Sequence, residues 1–301
     1  MSSISTTSEP RSDLSQGLLG AGIAVTAWSA GSVLAKGIDM PGLSLGVYRF
    51  AIFAVIMVAW MQFKGRPMRW EVMRYATPGG IALGVNVALF YSAVKLTNVV
   101  NATLIGALQP VLVGMVAIAF FGEKIRKTDI IWSAIALAGV IAVVLASNST
   151  PEWSAKGDLL SACAMVMWSM YFIASKSSKK HLTPLEFTAG TSIWAALICL
   201  PLAITFGQDL SFPSARSWLG LAAMTVVAGI VGHVLMNWSL VRIPLWVGST
   251  FTLFIPVSAA LMAWIFLDEA LSIAQMTPVL VVIAALAAIV RGQSKSVSTA
   301  E

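Results

Sequence analysis

Charge is scarce in this chain. Only 11% of its 301 residues are Asp, Glu, Lys or Arg, whereas 58% are hydrophobic, and the mean hydropathy is +0.85. A water-soluble domain carries about 25% charged residues. This chain therefore lacks the polar surface that water requires, and reads as an integral membrane protein. Cysteine is equally sparse. Cys163 and Cys199 stand alone inside apolar runs, which excludes a CxxC redox pair or a thiolate metal site and makes both small buried hydrophobes. No GxxxxGK[ST] loop occurs, so an ATP-driven pump of that kind is excluded. Of two histidines, His181 lies in a loop and His233 inside an apolar run. With no nucleophile–base pair and no metal-ligand cluster, an intramembrane enzyme is disfavoured, and no cofactor or metal is expected. A net charge of +6 would suggest nucleic acid in a soluble protein. Here basic residues flank membrane spans, and no nucleic-acid partner is expected.

What is present is a series of long apolar runs. A helix needs about 20 apolar residues to cross the hydrocarbon core. Ten runs qualify: 17–36, 43–63, 75–95, 98–121, 128–147, 157–176, 184–206, 217–240, 244–267 and 272–291. Residues 1–16 are Ser/Thr-rich and read as a disordered cytoplasmic tail, with 292–301 as a second tail. The first run has no basic segment directly before it and no clear cleavage signal, so it reads as a retained span. The expected fold is an all-α polytopic membrane protein of ten transmembrane helices.

Orientation follows from the basic residues. With the N-terminus cytoplasmic, that side collects Arg11, Lys64, Arg66, Arg69, Arg74, Lys124, Arg126, Lys127, Lys176, Lys179, Lys180, Arg242, Arg291 and Lys295, which is 14 of the 19 Lys and Arg. The opposite side receives Lys36, Lys95, Lys156 and Arg216, and Arg49 falls inside the second span. Both termini are therefore expected in the cytoplasm.

Two stretches repeat. Trp28 and Lys36 match Trp168 and Lys176 at an offset of 140, and Pro110 and Glu123 match Pro256 and Glu269 at an offset of 146. Residues 17–147 and 157–291 thus form two five-span halves. Because five is odd, the second half enters the membrane inverted, an arrangement characteristic of secondary transporters with a solute site between the halves.

The motifs YRF (48–50), FFGEKIRKTDIIWSAIALAGVIAVV (120–144) and IFLDEALSIAQMTPVLVVIAALAAIV (265–290) resemble those of the EamA-type drug/metabolite transporter superfamily. The overall character is similar to bacterial aromatic amino-acid exporters of the YddG type. That resemblance implies a basket around a central cavity, built by spans 3, 4, 8 and 9 with 1 and 6. Spans 5 and 10 would lie at the periphery or in a homodimer contact. It also implies export of neutral, often aromatic, amino acids across the bacterial inner membrane. The second half departs from the pattern, with LDE for GE and EFTAGTSIW (186–194) in place of an RF pair.

Polar side chains inside spans are solute-site candidates, because each is costly unless it is paired or faces water. They are Asn86 and Tyr91 in the third span, Asn101, Thr103 and Gln109 in the fourth, and His233, Asn237 and Trp238 in the eighth. His233 and Asn237, four apart, share a helix face. The paired Trp28 and Trp168 suggest aromatic walls. Every acid falls at a span end, loop or tail, so facilitated diffusion is favoured over proton-coupled export of drugs or amphiphilic metabolites. Arg49, Glu123 and Glu269 are gate candidates. Lys36, Lys95 and Lys176 read as snorkelling ends. Pro110 and Pro256, each 12 residues into its span, are hinge candidates.

Overall fold

A computed structural model describes residues 10–35, 37–97, 99–147, 154–267 and 271–298; the gate candidate Glu269 and the end residue Lys36 lie outside them. Every regular element among the described residues is helical. That follows from composition, since lipid offers no hydrogen-bond partners and a helix satisfies its own backbone. The elements are α1 Pro10–Ala35, α2 Gly42–Phe63, α3 Trp70–Ala93, α4 Val99–Gly106, α5 Gln109–Phe121, α6 Lys127–Leu145, α7 Ala155–Ser178, α8 Pro184–Thr205, α9 Ala215–Met224, a π-helical segment Thr225–Val234, α10 Leu235–Arg242, α11 Leu245–Phe251, α12 Phe254–Leu267 and α13 Ile273–Ser298.

Nine stretches among the described residues are long and apolar enough to cross a membrane. The expected third span is not one of these nine. Its helix α3 has 24 residues, but Glu71, Arg74, Thr77 and Asn86 dilute its apolar character. Helix extends into the described part of both segments expected as tails. α1 begins at Pro10, with Asp13 in its first turn where an acid favours the helix dipole and where it also lies 3.7 Å from Arg242. α13 continues to Ser298. Local polarity marked these segments as tails, but continuation of an established helix costs less than starting one.

The bundle is arranged around α7, which packs on α3, α4 and α5. α3 and α2 both pack on α8, while α1 packs on the π-helical segment, α10 and α12. α6 and α13 pack mainly on each other. Side-chain bonds pin several crossings, such as Trp194 Nε1–H donating to the Met73 carbonyl at 3.0 Å. Cys199 is buried as expected. Cys163 is exposed instead, because α7 turns that position to the outside of the bundle, where a thiol is apolar enough for lipid.

The fourth and ninth spans are both broken. A turn at Ala107 and Leu108 separates α4 from α5, and a turn at Thr252 and Leu253 separates α11 from α12. Pro110 occupies the first turn of α5, where its missing N–H costs nothing. Pro256 lies in the first turn of α12. Each proline thus begins the second half of a discontinuous helix.

Candidate functional site

A buried polar cluster joins α7, α8, the π-helical segment and α10. Tyr171 and Ser175 lie one turn apart on α7, and His233 and Asn237 one turn apart on the facing strand of helix. Asn237 Nδ2 donates to the Tyr171 hydroxyl and to Thr188 Oγ1, both at 2.9 Å, and Ser175 Oγ donates to Asn237 Oδ1 at 2.8 Å. Thr188 passes its own proton to the Pro184 carbonyl at 2.7 Å. Since the Tyr171 oxygen accepts from Asn237, its proton is available for His233 Nδ1, 3.1 Å away. The network is satisfied by a neutral imidazole carrying its proton on Nε2. Tyr171, Thr188, Asn237 and His233 are all buried.

Aromatic rings enclose this cluster. Trp28 and Trp168 meet edge to face at 5.1 Å, and Trp168 stacks on Tyr171 at 5.3 Å. His233 touches Trp28 at 5.3 Å and Phe53 of α2 at 5.9 Å. Trp28 reaches in because position 232 is glycine. A Cβ there would lie 2.5 Å from the indole nitrogen. The wide π-helical turn carries that glycine and His233 together, as such segments often do at functional sites.

The two ends of α7 are held differently. At one end Lys176 is buried, and its Nζ donates to the carbonyls of Leu240 at 2.8 Å and Ile243 at 2.6 Å. Glu123 Oε1 stands 3.8 Å from that ammonium. The same carboxylate accepts the backbone N–H of Leu245 at 2.7 Å and of Trp246 at 3.2 Å. Lys176 is therefore not a snorkelling residue. The α10–α11 turn folds over it and supplies carbonyls where lipid headgroups were expected. A cleft of about 390 Å³, lined in part by Phe121, Glu123, Lys176, Arg242 and Trp246, opens at this end. At the other end Asp158 Oδ1 accepts from Thr97 Oγ1 at 2.9 Å and from Asn101 Nδ2 at 3.1 Å. Gly157 admits that contact, because a Cβ there would lie 2.7 Å from the Thr97 backbone nitrogen. Asp158 and Lys176, 18 positions apart, are separated by about 27 Å of helix, nearly the hydrocarbon thickness.

Gln109 links the two helix breaks. The Thr252 hydroxyl lies 2.8 Å from Gln109 Oε1 and 2.6 Å from the Ser249 carbonyl. Ser29 on α1 donates to the Ile255 carbonyl at 3.1 Å, beside Pro256.

Of the candidate solute-site residues, Trp28, Trp168, His233 and Asn237 come together. Gln109 sits between the broken spans, and Asn101 belongs to the Asp158 end. Asn86 donates to the Ala164 carbonyl at 2.8 Å, a helix–helix bond between α3 and α7. Trp238 faces away from the cluster, with the Arg242 guanidinium 3.7 Å above its ring. Tyr91 and Arg49 form a separate group on α3 and α2. Arg49 has no carboxylate within ion-pair distance among the described residues, so it closes no charged gate with any of them. Sequence reasoning passed over Tyr171, Ser175 and Thr188. The one available signal was the four-residue spacing of Tyr171 and Ser175, which matches that of His233 and Asn237.

A solved crystal structure superposes on this fold with a TM-score of 0.79 at 21% identity, covering 93% of this chain and 99% of the other. The uncharacterised transporter YetK of Bacillus subtilis is 24% identical over 61% of this chain and 57% of its own length. The aromatic amino acid exporter YddG of Ancylobacter novellus is 27% identical over 50% of this chain, which spans about half of that protein (52%). The threonine/homoserine exporter RhtA of Escherichia coli is 26% identical over 87% of each chain. Residues 15–145 and 155–291 each match the EamA-like transporter family, and with both stretches covered the chain belongs to that family.

Proposed function

We propose that this transporter exports neutral amino acids with apolar side chains, aromatic ones among them, across a bacterial inner membrane. The observation that carries this reading is the neutral hydrogen-bonding cluster of Tyr171, His233 and Asn237 walled by Trp28, Trp168 and Phe53. Such a surface suits a zwitterion with an apolar side chain. The exporter relatives at low identity support amino-acid export, of aromatic solutes in one case and of threonine and homoserine in the other.

In this reading α3 is the tenth span, and residues 17–147 and 157–291 are inverted repeats with both termini cytoplasmic. Exchange between the two faces bends the broken helices at the turns beside Pro110 and Pro256. Glu123 with Lys176 closes the cytoplasmic face and opens as α11 moves. Among the described residues every acid lies at a helix end or in a loop, which supports a facilitator over a proton-coupled pump.

Purified protein in liposomes loaded with labelled phenylalanine tests the reading. Efflux with no pH gradient is expected, and competition by methionine and tryptophan. The panel includes threonine and homoserine, because the relative with the broader coverage exports those. If no amino acid competes, the solute assignment is wrong even with the fold intact.

A further inference from the structure

Arg49 is a cation inside a span with no ion-pair partner among the described residues. It lies seven positions into α2, about 10 Å along the helix axis, well inside the apolar zone. Its side chain is half-buried, its Nε is fully enclosed with no hydrogen-bond partner, and no described carboxylate pairs with it. The ionisable side chains close enough to interact with its charge are Tyr91, Cys199 and His233. By type these are a phenol, a thiol and an imidazole, none of which supplies a negative charge at neutral pH. A membrane interior keeps such a cation where a partner group or water meets it, and the neighbour found here is neutral, the Phe50 ring 5.3 Å from the guanidinium carbon, which leaves the charge open to an anion.

Tyr91 completes a donor set. Its ring lies against Gly42 of α2, where a Cβ would collide with it. Tyr91 as a whole is half-buried, and its hydroxyl makes no hydrogen bond to another described residue. A guanidinium fork, with an unbonded O–H donor within range of its charge, offers the donors that the two oxygens of a carboxylate accept. One turn along α2 from Arg49, Phe53 packs on His233, and beyond it stand Trp28 and Trp168. An anion held at Arg49 would therefore extend an apolar side chain along Phe53 toward the tryptophan pair.

We propose that Arg49 and Tyr91 form a carboxylate-binding subsite that selects solutes with a free carboxylate over their amides. The subsite rests on the export reading only for the identity of the whole solute, so its test uses simple probes. The full chain in detergent is titrated with 3-phenylpropanoate and with the isosteric 3-phenylpropanamide, following tryptophan fluorescence. The wild-type protein should bind the acid at least tenfold more tightly than the amide. Arg49→Gln should bring that ratio to about one, Arg49→Lys should keep it within a fewfold, and Tyr91→Phe should reduce it severalfold with the fold unchanged. No acid preference in the wild type, or the same preference in Arg49→Gln, overturns the proposal. If Arg49→Gln does not fold, Tyr91→Phe decides, and an undiminished ratio there overturns it as well. An acid preference in a protein that transports no amino acid would leave the subsite standing and remove the export reading instead.

Discussion

The two ends of α7 are closed by different chemistry. At the Lys176 end a buried ammonium, a carboxylate, two backbone carbonyls and two backbone N–H groups converge from α5, α7, α10 and α11. At the Asp158 end one carboxylate collects neutral donors from Thr97 and Asn101. Removing one member of a buried charge pair strands the other, which costs about 3–5 kcal/mol. Removing a neutral interhelical bond in a membrane costs about 0.6 kcal/mol on average. The Lys176 end is therefore a lock and the Asp158 end a latch. In the export reading proposed above, the main barrier to opening stands at the lock.

The largest effect should come from Glu123→Ala. It strands the Lys176 ammonium and uncaps α11, so we expect a melting temperature lower by roughly 5–10 °C in detergent, from a loss of about 3 kcal/mol. Uptake in liposomes should fall at least tenfold. The exchange pair Glu123→Lys with Lys176→Glu should fail to restore uptake. A carboxylate at position 176 would face the Leu240 and Ile243 carbonyls, which repel it. Full rescue by the exchange would reduce the lock to a simple ion pair.

Tyr171→Phe comes next. It removes the partner of His233 Nδ1 and one of the two acceptors of Asn237, leaving buried polar atoms unpaired at about 1–3 kcal/mol. Solute affinity should weaken severalfold in a fluorescence titration, with the protein still monodisperse. Asp158→Asn keeps the acceptor oxygen and discards the charge, so the latch should loosen without damage. A twofold to threefold faster exchange of solute with a normal melting temperature is the expected result, and a loss as deep as that of Glu123→Ala would erase the contrast between the ends. The smallest effect belongs to Thr252→Val, which breaks the bond between the two helix breaks at about 0.6 kcal/mol. It should alter the transport rate by no more than about twofold.

Helices were legible because apolar runs of span length leave no other stable backbone arrangement in lipid. Both breaks were legible too, since Pro110 and Pro256 mark where each span restarts. His233 and Asn237 were visible as rare polar residues at one-turn spacing. Tyr171 was not, because a tyrosine among Met, Trp and Phe reads as another aromatic until its hydroxyl is seen to have partners. Lys176 misled for a related reason. A lysine near a span end is indistinguishable from a snorkelling one until the turn that covers it is in place. Trp238 looked like part of the cluster by adjacency to Asn237, but one residue rotates a helix position by about 100°, and that turns it toward Arg242.

Sequence by itself determined the solvent, the helical class, the sites of the two breaks and the scarcity of charge in the interior. All of these depend on local composition and on the ban on unsatisfied backbone in lipid. Only the tertiary structure decided which polar groups meet, which end carries the lock, and that Arg49 stands among described neighbours without a counter-charge. Those outcomes depend on contacts between residues far apart in the chain, 226 positions in the case of Ser29 and Ile255, and no local pattern encodes such a distance.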